Sequence, residues 1–282
     1  MDKKLIPSPF NLSFNVIKHS LVESLFPQVR NCLFCGGRIL GNRLSAGLCP
    51  QCLLDWLRLR QNAVICPFCG SFDSGQPCRG PCGGRREIGK MASLDSTSAA
   101  VPYTGLYRQQ MMAFKYNGRR ELALPMGFLM SKTWEARGRQ LPTDTGLCLV
   151  PVPMHQAKEA ARGYNQSRLL AEVISRQLKL PVQELLWRPL PGQVQAGLDK
   201  KQRRQVLDQV FQWAGAEAGI KTASPRSGKR RYSAVILVDD VVTTGATLES
   251  CGQILRQQGY NPIWGLTFAG GSGSGIKYPL KT

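Results

Sequence analysis

Acidic residues are scarce in this chain of 282 residues: 18 Asp and Glu stand against 37 Lys and Arg, a formal net charge of +19. A surface so short of carboxylates suits polyanions, meaning nucleic acid, phosphorylated metabolites or an anionic membrane. Long apolar runs are missing too. No stretch approaches the roughly 20 residues that cross a bilayer, so no transmembrane segment is expected. Histidine is nearly absent, and neither copy is a good catalytic candidate: His19 sits in an N-terminal extension, and His155 follows a strand end from which it could reach a site. A secretory leader is not supported either. In MDKKLIPSPFNLSFNVIKHSLVESLF, prolines and asparagines interrupt the apolar part, and no small-residue cleavage site follows. Residues 1–30 are therefore expected to be a loose start with a short helix over 16–26, in a cytoplasmic protein.

What the chain does contain is cysteine. In a reducing compartment, regularly spaced cysteines point to metal rather than disulfides. Cys32 and Cys35, Cys49 and Cys52, and Cys66 and Cys69 are each C-x-x-C, and Cys78 with Cys82 is C-x-x-x-C. Two of the pairs open alike, CLFCGG and CPFCGS, with a glycine that suits a tight knuckle whose amides turn toward sulfur. Four thiolates around one Zn²⁺ make a closed, structural site. Two sequential units, 32–52 and 66–82, each with its own zinc, are the preferred reading, and an interleaved pairing of the first pair with the third stays open. Chelation is expected to unfold these ribbons ahead of the rest, because such a segment is too small for a core of its own. Cys148 and Cys251 lie in apolar surroundings and read as packing residues.

The hydrophobic content, 43%, is ordinary and allows a sizeable core. After the ribbons (31–83) comes a polar, glycine-rich, basic linker (84–97), and from 98 to 269 strand-like and helix-like segments alternate. Strands are expected at 98–103, 146–153, 234–240 and 262–269, and helices at 107–116, 121–134, 165–178 and 246–259. That alternation implies an α/β domain with a parallel sheet. The segment 214–231 is loop-like and basic, and 270–282 reads as a flexible tail.

The most informative stretch is VILVDDVVTTGATLESCGQIL, 235–255, where an apolar run meets two adjacent acids. Neighbouring carboxylates repel each other and resist desolvation, so a bound partner best explains Asp239 and Asp240. Ligands of open parallel sheets lie beyond the carboxyl ends of the strands. Here VVTTGAT leads into a helix N-terminus, whose free amides and dipole favour an anion. Gly245 allows close backbone approach, and the hydroxyls of Thr243, Thr244 and Thr247 can donate to phosphate oxygens. Acceptors for sugar hydroxyls beside a phosphate cradle fit a ribose 5-phosphate.

This segment closely resembles the phosphoribosyl-pyrophosphate (PRPP) signature of type I phosphoribosyltransferases. The resemblance implies that Asp239 and Asp240 contact the ribose 2′- and 3′-hydroxyls. Thr243, Thr244, Gly245, Ala246 and Thr247 would then hold the 5′-phosphate, with Mg²⁺ accompanying PRPP. LVPVPMHQAKEAARGYNQSRLLA (149–171) looks like the hallmark of the ComF family, which includes GntX and ComFC-type proteins. That family joins a double zinc ribbon to a type I phosphoribosyltransferase-like parallel sheet flanked by helices. FKYNGRREL (114–122) is similar to another family element, with Lys115 in its basic position. QVQAGLDKKQRRQVLDQVF (193–211) resembles a third, with Gln195 and Arg204 matching and Val194 standing where a threonine is frequent.

Displacing pyrophosphate from ribose C1 needs positioning and cations rather than covalent help. Lys115 and Arg162 are the candidate catalytic residues, with Lys158 a further cation that fits a solvated basic face equally well. Tyr164 and Asn165 either shape the loop over the ligand or, for Asn165, cap the following helix. The resemblance implies a PRPP-binding protein of DNA uptake, DNA utilisation or natural competence. It would bind single-stranded DNA and associate with uptake machinery, and the alternative is an active phosphoribosyltransferase acting on an unidentified acceptor. Phe34, Trp56 and Phe68 could stack on bases, although packing around the metals is the commoner fate of such residues.

Overall fold

A computed structural model of the chain describes residues 29–40, 46–72, 78, 92–137, 146–189, 210–214 and 232–271. Cys82, the expected helix over 16–26, Gln195, Arg204 and the tail beyond 271 lie outside them.

The centre is a parallel sheet of four strands in the order β3-β8-β7-β4. These are β3 (Ser96–Pro102), β4 (Leu147–Pro151), β7 (Ala234–Val242) and β8 (Ile263–Gly270). Side chains along β3, β4 and β8 are buried throughout, as are Ala234 to Val238 of β7. Strands covered on both faces need such near-continuous apolar runs, which is why they were visible in the sequence. Between them lie α2 (Gly105–Tyr116), α3 (Ala123–Glu135), α4 (Gln156–Arg162), α5 (Gln166–Leu178) and α6 (Ala246–Gln257). Helices α3 and α5 pack on each other and on one face, where Trp134 meets Trp264 edge-on at 5.4 Å. Helix α6 lies by the other face, where Leu94 sits against Gly252 of α6 and Gly265 of β8. A short antiparallel pair, β5 (Leu186–Trp187) and β6 (Gln212–Trp213), lies outside the main sheet.

One strand limit differs from expectation in a way that matters. Strand β7 does not stop at the acids but continues to Val242, pairing with β8 through Asp239↔Thr267, Val241↔Ala269 and Val242↔Gly270. Its other neighbour, β4, stops at Pro151↔Val238. Asp239 and Asp240 are therefore held by a strand on one side and are open on the side that β4 leaves.

The cysteine-rich segment consists of a small hairpin, β1 (Val29–Asn31) with β2 (Arg38–Leu40), and helix α1 (Pro50–Asn62), followed by a second knuckle around Cys66 and Cys69. It is built against the sheet. Phe34 lies edge-on to Tyr107 and to Phe268, each at 6.2 Å, inside the same buried cluster as the strands. Trp56 Nε1 donates to Ala100 O at 3.1 Å, Arg60 to Ala99 O at 2.9 Å, and Thr97 N to Phe68 O at 2.7 Å. The bonds at Thr97 and Ala99 fall on the outer edge of β3, where an edge strand carries unpaired polar groups. Packing is thus the fate of Phe34 and Trp56, while Phe68 is 38% exposed. Gly70, at φ 71°, lets the second knuckle come so close that a Cβ there would lie 2.8 Å from Ala99 N.

Candidate functional site

Asp239 and Asp240 are neighbours along β7, yet each has its own partner. Ser167 Oγ donates to Asp239 Oδ1 at 2.9 Å, and so does the Asp240 amide, also at 2.9 Å. Asp240 Oδ1 instead receives Lys115 Nζ at 2.8 Å, with both side chains largely covered. Burial, followed by the charge of Asp240, pushes the Asp239 carboxyl up to about 7, against the opposing pull of its donors and of Lys115. Burial pulls Lys115 down, but the attraction of Asp240 and its hydrogen bond outweigh it, so the ammonium is held above its ordinary value.

Ser167 is in place because Asn165 caps α5. The Asn165 side chain accepts from Ser167 N at 3.0 Å and Arg168 N at 3.4 Å, and donates to Val152 O at 3.2 Å. Of the two readings of Asn165, the cap is the observed one, and it ties the segment after β4 to the helix that serves the acid pair. On the other side of the acids, Thr243 and Thr244 are exposed and Gly245 turns at φ 73° into α6. No side chain caps that helix, although Thr244 Oγ1 accepts from Ala246 N at 3.5 Å. Glu249, the acid of its first turn, is turned toward Ser93, accepting from its amide and its hydroxyl. Ala246 and Thr247 are partly buried at the helix start.

The structure brings Lys115 to the acid pair. The Arg162 guanidinium instead donates to Gln166 Oε1 at 2.8 Å and lies over the Tyr116 ring at 5.1 Å. Lys158 lies on α4, and His155 caps that helix, accepting from Ala157 N at 3.2 Å. Ser167 was missed by sequence reasoning, and so was Arg188. Burial lowers the Arg188 guanidinium, with Asp239 among the charges that oppose this, and its Nε is buried without a hydrogen-bond partner among the described residues. Arg188 stands with Pro151, Asn165, Arg168 and Trp187 around a cleft of about 230 Å³ beside β4. No sequence motif surrounds Arg188. Ser167 does fall two residues after a capping asparagine, which was the available clue.

The cysteines form two clusters. The sulfurs of Cys32, Cys35, Cys49 and Cys52 lie within 4.8 Å of one another, as do those of Cys66, Cys69 and Cys78. The grouping is sequential, not interleaved. Cys32 to Cys52 and Cys35 to Cys49 are each 3.8 Å, and Cys69 to Cys78 is 3.7 Å. A tetrahedral metal with metal–sulfur bonds of about 2.3 Å sets neighbouring sulfurs about 3.8 Å apart, whereas a disulfide would hold them at about 2.05 Å. Amides of Gly37, Cys49 and Cys52 point at sulfurs at 3.3 to 3.4 Å. Burial raises Cys32, but amide donors more than offset it and bring the thiol down to about 7. Burial and the charge of Cys32 push Cys52 far up, so without a cation the thiols oppose one another's ionisation. Both clusters could hold structural metal ions.

Among the described residues no helix is long and apolar enough to cross a membrane. No protein-family model matches the chain. It is 38% identical over 124 residues to Competence protein F of Haemophilus influenzae, a match covering 43% of this chain and 50% of that protein. With Competence protein ComFC of Bacillus subtilis it shares 26% identity over 196 residues, covering 69% of this chain and 72% of the relative. DNA utilization protein YhgH of Escherichia coli O157:H7 is 29% identical over 220 residues, covering 76% and 86%. The chain thus spans half of the Haemophilus relative and most of the other two.

Proposed function

We propose that this chain, on its similarity to Competence protein F, ComFC and DNA utilization protein YhgH, is a ComF-family protein that serves DNA uptake or utilisation and binds PRPP, or a related ribose 5-phosphate, at Asp239 and Asp240. Single-stranded DNA is its second partner in this reading. The observation that carries the PRPP reading is the acid pair on the part of β7 that β4 leaves open, with Lys115 at 2.8 Å and the threonine loop following directly. Asp239 and Asp240 would accept from the ribose hydroxyls. Thr243, Thr244 and the amides of the helix start from Gly245 to Thr247 would hold the 5′-phosphate, and Lys115 would leave Asp240 for the diphosphate. Mg²⁺, bound with PRPP, supplies charge neutralisation at the diphosphate.

Zinc is the metal assigned to both cysteine clusters, on the softness of thiolate ligands and the sulfur spacing. Cys82 would complete the second set. The proposed division places the metal ribbons at 31–83 and the PRPP-binding domain at 98–269. A second reading, transfer of the ribose phosphate to an acceptor, is favoured by Lys115, since a leaving diphosphate needs a cation and a pure DNA binder does not.

The test is thermal unfolding of the metal-loaded protein with Mg²⁺ and PRPP. The melting temperature is expected to rise, because a ligand that binds only the folded state stabilises it. Asp239→Asn combined with Asp240→Asn should abolish most of that rise while leaving metal content and affinity for DNA unchanged. No rise for the native chain at millimolar PRPP would refute the PRPP reading and leave the DNA role standing.

A further inference from the structure

Helix α2 turns an unusual line of side chains to solvent. Arg108, Met112 and Tyr116 recur every four residues and so share one stripe about 12 Å long. All three are exposed, Tyr116 to 65%. An apolar position of a surface helix usually faces the core, and these do not. The stripe is widened on both flanks by cation–aromatic pairs. At one end, Arg108 lies 6.0 Å from the centre of the Tyr103 ring, and Tyr103 Oη donates to Met112 Sδ at 3.6 Å. At the other, Arg162 lies over Tyr116 at 5.1 Å.

This face is built rather than accidental. Tyr164 Oη donates to Phe114 O, fastening the junction of α4 and α5 to the end of α2. Arg120 covers the Tyr164 ring at 4.8 Å and donates to Gly163 O at 2.8 Å. The charge is one-sided. Arg108 and Arg162 flank the stripe itself, and Arg119 and Arg120 follow it along the chain, where Glu121 pairs with Arg119 at 2.8 Å. Exposed rings and thioether interleaved with guanidinium groups match a strand whose bases are unpaired, since bases can stack and phosphates can pair. A duplex, its bases covered, would leave the rings unused.

We propose that the α2 stripe, from Arg108 through Met112 to Tyr116 with Arg162 alongside, is the docking surface for single-stranded nucleic acid, with a base stacked on Tyr116. The proposal rests on the DNA reading above and gives it a location. Lys115, next along the helix from Tyr116, pairs with Asp240, so the strand would lie directly beside the ribose-phosphate site.

The experiment is fluorescence anisotropy of a short labelled oligothymidylate with the full metal-loaded chain, across a salt series. Tyr116→Ala should weaken binding between about fivefold and about a hundredfold, and Tyr116→Phe should restore it, because stacking needs the ring and not the hydroxyl. Arg162→Gln should lower the slope of log affinity against log salt by about 0.7, one phosphate's worth for a single strand. Arg176→Gln, an exposed charge at the end of α5, should act less than Tyr116→Ala. Normal binding by Tyr116→Ala, or equal losses for Tyr116→Ala and Arg176→Gln, would overturn the location while the native chain's own binding upheld the DNA reading. Failure of the native chain to bind any strand would overturn both.

Discussion

Two like charges side by side at the heart of a fold need a reason, and at the residue scale the reason is division of labour. Asp239 answers to Ser167, while Asp240 answers to Lys115. The cost nevertheless shows in the Asp239 carboxyl, raised to about 7 from an ordinary value of 3.8. A folded-state pKa raised in this way favours the folded chain at low pH, and that contribution is lost as pH rises through the folded value. Asp239→Asn removes the titration. The variant is therefore expected to melt above the native chain at pH beyond about 7, with the gap closing toward the ordinary carboxylate range. Melting curves across that range decide it, and a gap that does not vary with pH would show that Asp239 is ionised throughout. The acid pair was legible because adjacent acids contradict the apolar run that carries them. Its partners were not: Ser167 lies 72 residues away, and only the folded topology brings it near.

At the scale of elements, the buried strands and long helices were legible because their apolar patterns are dictated by two covered faces or one. The end of β7 was misread, since Asp, Asp and two threonines look like the close of a strand when β8 is not yet there to pair with them. Helix α1 had no such warning either. It starts at Pro50 with Cys49 as its cap, the Cys49 sulfur accepting from Cys52 N at 3.3 Å, so one residue serves both the helix and the cluster. The second knuckle depends on Gly70 for its approach to β3. Gly70→Ala demands a left-handed backbone from a residue with a Cβ, and places that Cβ 2.8 Å from the Ala99 amide nitrogen. Strain of this kind costs of order 1–3 kcal/mol. Urea unfolding should show a loss of that size, and an unchanged midpoint would mean that the knuckle is free to back away from the sheet.

For the whole molecule, the shared core changes what metal removal should do. Ribbons hanging from a linker would melt alone, as the sequence suggests. Phe34 between Tyr107 and Phe268, and the bonds from Trp56 and Arg60 to β3, join them to the sheet instead. A chelator is expected to lower the melting temperature of the entire α/β body in one transition, checked by calorimetry with and without it. Two separate transitions, the upper one unmoved, would restore the picture of independent units. The outer edge of β3 carries this one step further. There Arg60 of α1 holds the Ala99 carbonyl, and the Phe68 carbonyl of the second knuckle holds the Thr97 amide. Once those are withdrawn, the strand offers open pairing groups to any extended chain nearby, another copy included. Metal starvation would then do more than slacken the protein: it would make the molecule self-adhesive. The supply of the ion would set how much of the protein escapes aggregation.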